Sequence, residues 1–419
     1  MKKGIVLGVV FLFVMMSFTS ISGIQIDKNI IIPSGRGNIL YVGGSGPGNY
    51  TKIQGAIDDA SKGDTVFVYD DSSPYVENVF VNKSINLLGE DKNTTIIDGN
   101  SIGDVVYVSA DLVAIRGFTI QNSGDYSNNY LDIYDAGLEI ISNNNIICDN
   151  IIANNNLMGV ILDGSSDNEY ISENIITNNY ASGIIIAKSS NNNRIFGNSI
   201  TNNKDAGCRI ILSSNNNNIS KNTIKNNSVD GVVLIEADEN GIYNNKISNN
   251  GDCGLEIEFY NCNNTISGNI IMDNSENGID LHYLSNNNLI LQNTIKNNRR
   301  GIDITISYDN FIYHNNFINN LVNAQDYGNN IWDDGEFGNY WSDYKQIYPN
   351  AKRIWLKGIW DVPYEITGGG NNDSCPLIKQ WSKSLSRAMP REKATDNMLL
   401  LRFLERFSLI ERFLTLLMN

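Results

Sequence analysis

A glycine-led motif recurs through the middle of the chain at a nearly constant spacing. A glycine is followed by an apolar residue, any residue and a second apolar residue, eight times, with separations of 22 to 24 residues. Repetition at such a period is the signature of a solenoid, in which each unit packs on its sequence neighbours. The eight repeat glycines are Gly137, Gly159, Gly183, Gly207, Gly231, Gly254, Gly278 and Gly301.

Each unit contains three short stretches of alternating apolar and polar residues, separated by polar turns. In the unit of Gly183, the apolar residues are Ile184 and Ile186, then Ile195, then Ile200. Alternation with a period of two indicates β-strands rather than helices. Three strands in each unit predict one coil of an all-β, three-stranded parallel β-helix, whose coils stack about 4.8 Å apart. The residues one and three positions after each repeat glycine are predicted to face the interior.

Asparagine is unusually frequent, with 66 among 419 residues. Such a composition also occurs in disordered, prion-like tracts, but a hydrophobic fraction of 41% is enough for a core. Asparagine tolerates the left-handed αL conformation that tight turns need, and its amides can form ladders between stacked coils. We therefore interpret the asparagines as part of the frame. The repeat glycines are predicted to permit a sharp turn at the start of each coil.

The two ends of the chain differ from the repeats. Residues 1–22 combine a basic start, a short apolar stretch and small residues, which predicts a signal peptide and a secreted, extracellular or cell-surface protein; a membrane anchor is the alternative. Residues 382–419 are predicted to form a linker and an amphipathic helix that contacts the β-helix, a membrane surface or a partner protein. Between them we expect an N-terminal cap and first coils at 39–110, with a helix at 50–61, then repeats at 111–325 and a closing segment at 326–381.

Charge and cysteine content exclude some classes of function. The formal net charge of −15 argues against nucleic acid as a partner, because phosphate binding needs an excess of Lys and Arg. Two histidines are too few for a His-rich metal centre. The five cysteines show no CxxC spacing, so small buried hydrophobes are the favoured interpretation, although a secreted chain could form one or two disulfides.

The outward positions of the glycine-led strand carry the candidate functional residues. The second position after the glycine places three carboxylates in one column of consecutive coils: Glu256, Asp280 and Asp303. The fourth position places Glu258, His282 and Thr305 in the next column, with Tyr260, Tyr283 and Arg300 close in sequence. Carboxylates stacked about 5 Å apart disfavour mutual ionisation. The column therefore needs a proton, a cation or a metal ion.

Three interpretations of this column remain open. Glu256, Asp280 and Asp303 could hold a calcium ion, the one cofactor that the sequence suggests. Alternatively, Asp280, His282, Glu256 and Asp303 are catalytic acids and bases acting on a sugar, with Glu258, Tyr260, Tyr283 and Arg300 as ligand-binding residues. The third interpretation is a solvated acidic face without a ligand.

The coils before this column carry apolar residues at the same outward positions. They are Ile161, Ile185, Ile211, Val233 and Ile235. Since a contiguous apolar patch usually marks an interface, we predict that it is covered. The predicted cover is the C-terminal segment, with Trp355, Trp360 and the terminal helix, or a partner protein.

The glycine-led units resemble the repeats of right-handed parallel β-helix proteins of the carbohydrate-binding and sugar-hydrolase type, with a pectin-lyase-like fold, and within them the NosD-like branch. The resemblance spans roughly residues 39–378. Residues 51–57 with 63–66 are similar to the family's N-terminal cap, and residues 338–344 with 361–364 to its closing segment. The resemblance implies a right-handed helix.

The chain departs from this group in three ways. Residues 348–355 stand where many relatives have an Asp- and Gly-rich loop, which weakens a calcium site there. NosD-like proteins are associated with copper-enzyme maturation, but His282, His314 and scattered cysteines, without a Met cluster, do not support a copper role. The Asp pairs of β-helix pectin hydrolases are not recognisable.

The sequence therefore predicts a protein that binds an extended polysaccharide or surface glycan across several coils. The first alternative is a polysaccharide lyase, hydrolase or epimerase that uses the acid and histidine column. Only Arg299 and Arg300 offer basic groups beside those acids, which disfavours a lyase. The second alternative is a non-catalytic structural surface protein, an adhesin or a NosD-like accessory protein.

Overall fold

The computed structural model describes residues 37–128 and 133–382. The predicted signal peptide and the predicted terminal helix lie outside the described residues. The chain forms two compact units: unit 1 ends at Gly241, and unit 2 begins at Ile242. The domain boundaries expected from the sequence stay a prediction.

Parallel β-sheets form both units, as the repeat predicts, and each coil contributes one strand to each of three sheets. We call the three sheets the Gly-led, the second and the third sheet, in the order in which a coil enters them after its repeat glycine. In unit 1 the Gly-led sheet contains Val79–Val81, Val106–Val108, Ala136–Ile140, Met158–Leu162, Ile184–Ile186, Cys208–Ile211 and Val232–Ile235. The second sheet contains Ile39–Val42, Thr65–Val68, Asn86–Gly89, Ala114–Arg116, Ile146–Cys148, Tyr170–Ser172, Arg194–Phe196 and Asn218–Ser220. The third contains Tyr75–Val76, Ile96–Asp98, Thr119–Gln121, Ile151–Ala153, Ile175–Thr177, Ser199–Thr201 and Thr223–Lys225.

Unit 2 repeats the arrangement, and the strand Gly241–Tyr243 lies at the unit boundary. The Gly-led sheet contains Leu255–Glu258, Asn277–His282, Arg300–Thr305, Val322–Asp326 and Thr367–Gly368. The second sheet contains Thr265–Ser267, Leu289–Leu291 and Phe311–Tyr313, and the third contains Lys246–Ser248, Ile270–Met272, Thr294–Lys296, Asn316–Ile318 and Tyr340–Trp341.

The described residues also form three antiparallel strand pairs. In unit 1, Ser127–Asn128 pairs with Ile133–Tyr134. In unit 2, Arg353–Ile354 pairs with Ile359–Trp360, and Tyr364–Glu365 pairs with Asn372–Asp373.

The pairing register follows the repeat. Val160 pairs with Ile184, and Ile184 pairs with Cys208, so the repeat glycines of consecutive coils stand in line. Every residue one or three positions after a repeat glycine is 0% exposed, which confirms the predicted interior positions. Burying such an aliphatic side chain contributes about 1.5–3 kcal/mol. The stacked apolar side chains therefore form one core column in each unit.

Where two asparagines follow one another at a turn, as at Asn178 with Asn179 and Asn202 with Asn203, the two residues have different structural roles. Asn178 adopts a φ of 57° and Asn202 a φ of 58°, so the first member makes the αL turn. The second member is buried in a ladder. Asn179 donates both its backbone N–H and its Nδ2 to Oδ1 of Asn203, at 3.2 and 3.0 Å. Both predicted uses of asparagine are confirmed, on different residues of each pair.

The repeat glycines do not act through backbone conformation. None of these eight glycines, all within the described ranges, has a positive φ, so the predicted sharp turn at this position is wrong. A Cβ on Gly183 would lie 2.7 Å from the carbonyl oxygen of Gly207 and 2.8 Å from Nδ2 of Asn203. Glycine is needed here because the next coil and its amide ladder approach the backbone too closely for a side chain.

Short helices lie near both ends of the described coils. The first spans Ile53–Asp59, inside the predicted range, and buries Ile53, Ala56 and Ile57. The carboxylate of Glu77 accepts hydrogen bonds from the first two backbone N–H groups, at 2.9 and 3.1 Å, and so caps the helix. The second helix spans Tyr344–Ile347. In the described residues no helix is both long and apolar enough to cross a bilayer.

The closing segment packs aromatic rings over the last coil. Trp341 stacks on Phe317 at 4.6 Å and on Tyr364 at 4.0 Å between ring centroids. Its Nε1 donates to the buried carboxylate of Asp373 at 2.8 Å. These stacked rings shield the end of the unit 2 core from water.

The outward apolar patch of unit 1 is covered from within that unit. Ile161 is 5% and Ile185 is 6% exposed, and the side chains of Tyr134, Leu157, Ala181 and Ile211 pack against them. Trp355 is 68% exposed. Trp360 instead stacks on Tyr344 within the closing segment. Side chains of neighbouring coils in unit 1 therefore contribute to burying these two isoleucines, and the terminal helix of the predicted cover lies outside the described residues.

The five cysteines are buried or partly buried. Cys148, Cys208 and Cys253 are buried, and Cys262 and Cys375 are partly buried. Burial raises the pKa of Cys208 to about 12, so this thiol stays protonated and packs as a small apolar side chain.

Candidate functional site

The predicted carboxylate column exists on the Gly-led sheet of unit 2. Glu256 pairs with Asp280, and Asp280 pairs with Asp303, on three adjacent strands. His282 pairs with Thr305 two residues further on. Because strand side chains alternate between faces, residues two apart share the outer face. Adjacent coils therefore bring acids and a histidine together on one outer surface.

Asp280 and His282 form the central contact of this surface. Nε2 of His282 lies 2.8 Å from Oδ1 of Asp280, and Nδ2 of Asn277 donates to Oδ2 of Asp280 at 2.8 Å. The hydrogen bond to Asp280 raises the pKa of His282 above its ordinary value, although burial opposes this, and the charges of the neighbouring acids add to the rise. In the described part of the chain, Nδ1 of His282 makes no hydrogen bond. That nitrogen is available to a ligand.

Asp303 lies beside the pair in the next coil. Burial raises the pKa of its carboxyl, and the charge of Asp280 raises it further, while Arg300 opposes the rise. Nη1 of Arg300 lies 3.4 Å from Oδ2 of Asp303. Arg299 pairs instead with Glu276 on the surface. Of the two predicted basic groups, only Arg300 belongs to the site.

A stacked aromatic pair borders the acids. The rings of Phe259 and Tyr283 are parallel, with centroids 4.8 Å apart, and the ring of Tyr283 lies 5.9 Å from that of His282. Phe259 is 38% and Tyr283 is 49% exposed, so both rings meet solvent. Tyr260 is also exposed, and Glu258 ends its strand half-buried. Exposed parallel rings beside polar groups are suited to stacking on sugar rings.

Three buried oxygens in the column accept no well-directed hydrogen bond: Oδ1 of Asn277, Oδ1 of Asp280 and Oδ1 of Asp303. Oδ1 of Asp280 has only the ion-pair contact with Nε2 of His282, at 2.8 Å. Oxygen ligands suit Ca²⁺. However, within unit 2 no three Asp, Glu, His or Cys side chains among the described residues bring ligand atoms within 4.8 Å of one another. A calcium ion at Glu256, Asp280 and Asp303 would therefore require these side chains to move.

The donor set of unit 2 does not fit copper. Nε2 of His282 faces Asp280, and Nε2 of His314 lies 3.1 Å from Oδ2 of Asp334. The ring of His314 is stacked under Trp381, with centroids 3.6 Å apart. Each imidazole is thus engaged with a different carboxylate, and no cluster of nitrogen and sulfur ligands forms among the described residues of unit 2.

Sequence reasoning missed three residues of this surface. Asn277 and Cys253 precede repeat glycines, as Arg300 does, and Sγ of Cys253 lies 3.8 Å from Oδ2 of Asp280. Phe259, rather than Tyr260, stacks on Tyr283. The signal was present in the repeat, because Phe259 and Tyr283 are 24 residues apart, which is one coil.

A second acidic group lies on the Gly-led sheet of unit 1. Burial and a hydrogen bond with Asp104 raise the pKa of Glu139 above its ordinary value, and burial also raises the pKa of Asp104. Asp163 pairs with Lys188 at 2.8 Å nearby. Oδ1 of Asp163 is nevertheless buried and accepts no hydrogen bond.

Two family models match the chain. The model described as periplasmic copper-binding protein (NosD) matches residues 210–346, and the model described as right handed beta helix region matches residues 105–258. The comparison with curated proteins returned no match.

Solved structures of similar fold include two whose names refer to carbohydrates. The A-module of mannuronan C-5 epimerase AlgE6 from Azotobacter vinelandii is 18% identical, with 67% of this chain and 92% of that chain covered and a TM-score of 0.52. The complex of XylC with xylose is 12% identical, with coverage of 68% and 75% and a TM-score of 0.54. The Dettilon tailspike protein is 14% identical, with coverage of 73% and 66% and a TM-score of 0.54.

At these identities the solved structures establish the fold alone. The family model describes a right-handed helix, and the coils that it covers in unit 1 are parallel and stacked. The chain therefore has a parallel β-helix fold, and its repeats are similar to the right handed beta helix region over residues 105–258 and to NosD over residues 210–346.

Proposed function

We propose that the chain binds an extended glycan on the Gly-led sheet of unit 2, outside the cell or in the periplasm. The observation that carries the proposal is the stacked pair of Phe259 and Tyr283 beside the Asp280–His282 contact. Aromatic rings stack on sugar rings, and the acids and histidine supply hydrogen bonds to hydroxyl groups.

Two further observations support a polymeric ligand. The polar groups come from three consecutive strands, Leu255–Glu258, Asn277–His282 and Arg300–Thr305. The two aromatic rings come from the turns that follow the first two of these strands, so the surface extends across coils. Two solved structures of similar fold are a mannuronan C-5 epimerase module and a complex with xylose. Both concern carbohydrates, which makes a glycan the favoured class of ligand for this chain.

The test is a glycan-array screen of the full chain, followed by affinity measurements on the best ligand. Phe259→Ala and Tyr283→Ala are expected to weaken binding about three- to tenfold each, since a stacking contact contributes about 0.5–1.5 kcal/mol. Tyr180→Ala is the matched control, because Tyr180 is a 71% exposed tyrosine of unit 1. Equal affinities for all three variants and the parent chain would exclude this surface.

Proton transfer on a bound sugar is the second candidate function. Nδ1 of His282 is without a partner among the described residues, and Nε2 contacts Asp280, an arrangement in which the carboxylate orients the imidazole and stabilises its charged form. Such a pair can take a proton from a sugar carbon, as epimerases and lyases require. We expect His282→Gln to abolish any epimerisation or chain cleavage while leaving glycan affinity within about threefold. Product analysis by NMR would separate epimerase, lyase and hydrolase.

Calcium stays a proposal for the same column. Titration of the full chain with Ca²⁺ by calorimetry should show binding that Asp303→Asn weakens, because Asp303 offers an unpaired buried oxygen. If the titration shows no heat of Ca²⁺ binding, we infer that the column holds a proton in place of a metal ion. A chain that binds neither glycan nor calcium would instead be a structural surface protein or adhesin.

A further inference from the structure

A cavity of about 300 Å³ opens on the second sheet of unit 1. Phe67 and Leu88, paired on adjacent strands, form its apolar wall. Lys92, Arg116 and Asp149 contribute charged groups. None of these residues belongs to the surface proposed for unit 2, so the two proposals can fail independently.

Glycines at the same corner of two adjacent coils create the space. Gly117, with a φ of 83°, occupies the corner position that Asp149 and Glu173 occupy in the next two coils, both with a φ of 56°. Gly89 precedes Gly117 in the same line, and a Cβ on Gly89 would lie 2.1 Å from the carbonyl oxygen of Gly117. Two coils therefore lack the side chain that later coils place at this corner, and a depression remains.

The charged groups are held in place around the depression. Nζ of Lys92 lies 2.6 Å from Oδ1 of Asp149, and Nε of Arg116 lies 3.6 Å from Oδ2 of the same carboxylate. The hydroxyl of Thr119 donates to the carbonyl of Lys92 at 2.6 Å and fixes the loop that carries this lysine. The Arg116 side chain is 53% exposed and retains donors for a ligand.

Glu90 and Asp91 add two more carboxylates to the lining. The lining thus combines an apolar wall with three acids and two bases, which offer both hydrogen-bond acceptors and donors. A hydroxyl group both donates and accepts, so vicinal hydroxyls match such a mixed lining. An anionic ligand would meet an excess of carboxylates. The volume is at the lower limit of small-molecule cavities and suits one sugar ring rather than an oligosaccharide.

We propose that this cavity binds a single neutral pyranose, with the ring against Phe67 and Leu88 and vicinal hydroxyls between Asp149 and Arg116. The pyranose is either a free monosaccharide or a terminal residue of a glycan, since both present the same ring and hydroxyls. Methyl glycosides and free sugars distinguish the two sources.

Ligand-observed saturation-transfer NMR on the full chain tests the proposal. The probes are glucose, galactose, mannose and xylose, their methyl glycosides, and glucuronate as the charged probe. Asp149→Asn preserves shape and tolerates the αL corner, and it should weaken pyranose binding about tenfold. Arg116→Ala, at an exposed position, should give a similar loss. Glu173→Gln, at the equivalent corner one coil away, is the matched control and should bind as the parent chain does.

Each outcome decides the proposal. Saturation transfer to a neutral pyranose that is reduced in Asp149→Asn and Arg116→Ala, and kept in Glu173→Gln and in Asp303→Asn of unit 2, supports it. No signal from any neutral sugar, binding of glucuronate alone, or signals unchanged in both cavity variants would overturn it.

Discussion

Glu169 interrupts an asparagine ladder with a buried acid. The residue is 1% exposed and takes the place of asparagine between Asn145 and Asn193. The backbone N–H and Nδ2 of Asn145 donate to its two carboxylate oxygens, both at 3.1 Å. Burial raises the pKa of Glu169 from 4.5 to about 8, although the bonds from Asn145 oppose the rise. The ladder therefore contains a carboxyl group that is protonated near neutral pH.

This pKa makes the stability of unit 1 depend on pH in a defined direction. The unfolded chain loses the proton of Glu169 near pH 4.5, whereas the folded chain keeps it to about pH 8. The stabilisation is fully present below pH 4.5 and is lost as the pH rises to about 8. The difference between these pKa values corresponds to about 5 kcal/mol of unfolding free energy.

Glu169→Gln removes the titration and keeps the size of the side chain. We expect parent chain and variant to unfold at similar urea concentrations at pH 5, and the variant to be the more stable at pH 8, by a few kcal/mol. Urea unfolding followed by circular dichroism measures the difference at each pH. Glu173→Gln, an exposed glutamate of the same coil, is the control. A Glu169→Gln difference that does not change between pH 5 and pH 8 would refute the reasoning.

Two further predictions concern the frame and the site. Gly183→Ala should destabilise unit 1 by about 1–3 kcal/mol in urea unfolding, because its Cβ would lie 2.7 Å from backbone oxygen; Gly164→Asn, at a φ of 60° with open space around it, should change stability little. The pKa of His282, followed by imidazole NMR, should lie above 6.5 in the parent chain and fall in Asp280→Asn, since the bond to Asp280 is the main cause of the rise. An unchanged pKa would show that this contact does not form in solution.

The coil architecture could be predicted from the sequence because it follows from the repeat. A glycine, two interior aliphatic residues and fixed spacing determine which strands stack and which side chains are buried, as Ile184 and Ile186 show. The carboxylate column of Glu256, Asp280 and Asp303 followed from the same register. Positions that depend only on the period of the backbone can therefore be predicted from a single sequence.

Features that depend on close contacts between coils could not be predicted from the repeat. The glycine requirement arises from backbone and amide atoms of the next coil, as at Gly183, and not from its own φ. Glu169 looks like a surface acid in the sequence, yet it lies inside a ladder. Phe259 stacks on Tyr283 because both occupy turn positions, with φ values of 61° and 48°, outside the alternating pattern.

Binding of oligosaccharides of increasing length to the full chain tests the central claim most directly. A surface built from three adjacent strands should bind longer oligomers of one glycan more tightly until the surface is filled, and Phe259→Ala should weaken the binding of each long oligomer. Titration calorimetry across such a length series measures both effects. Affinity that rises with length and depends on Phe259 is the result we predict. Affinity that is independent of both, or no glycan binding at all, would contradict a glycan-binding surface on the Gly-led sheet of unit 2.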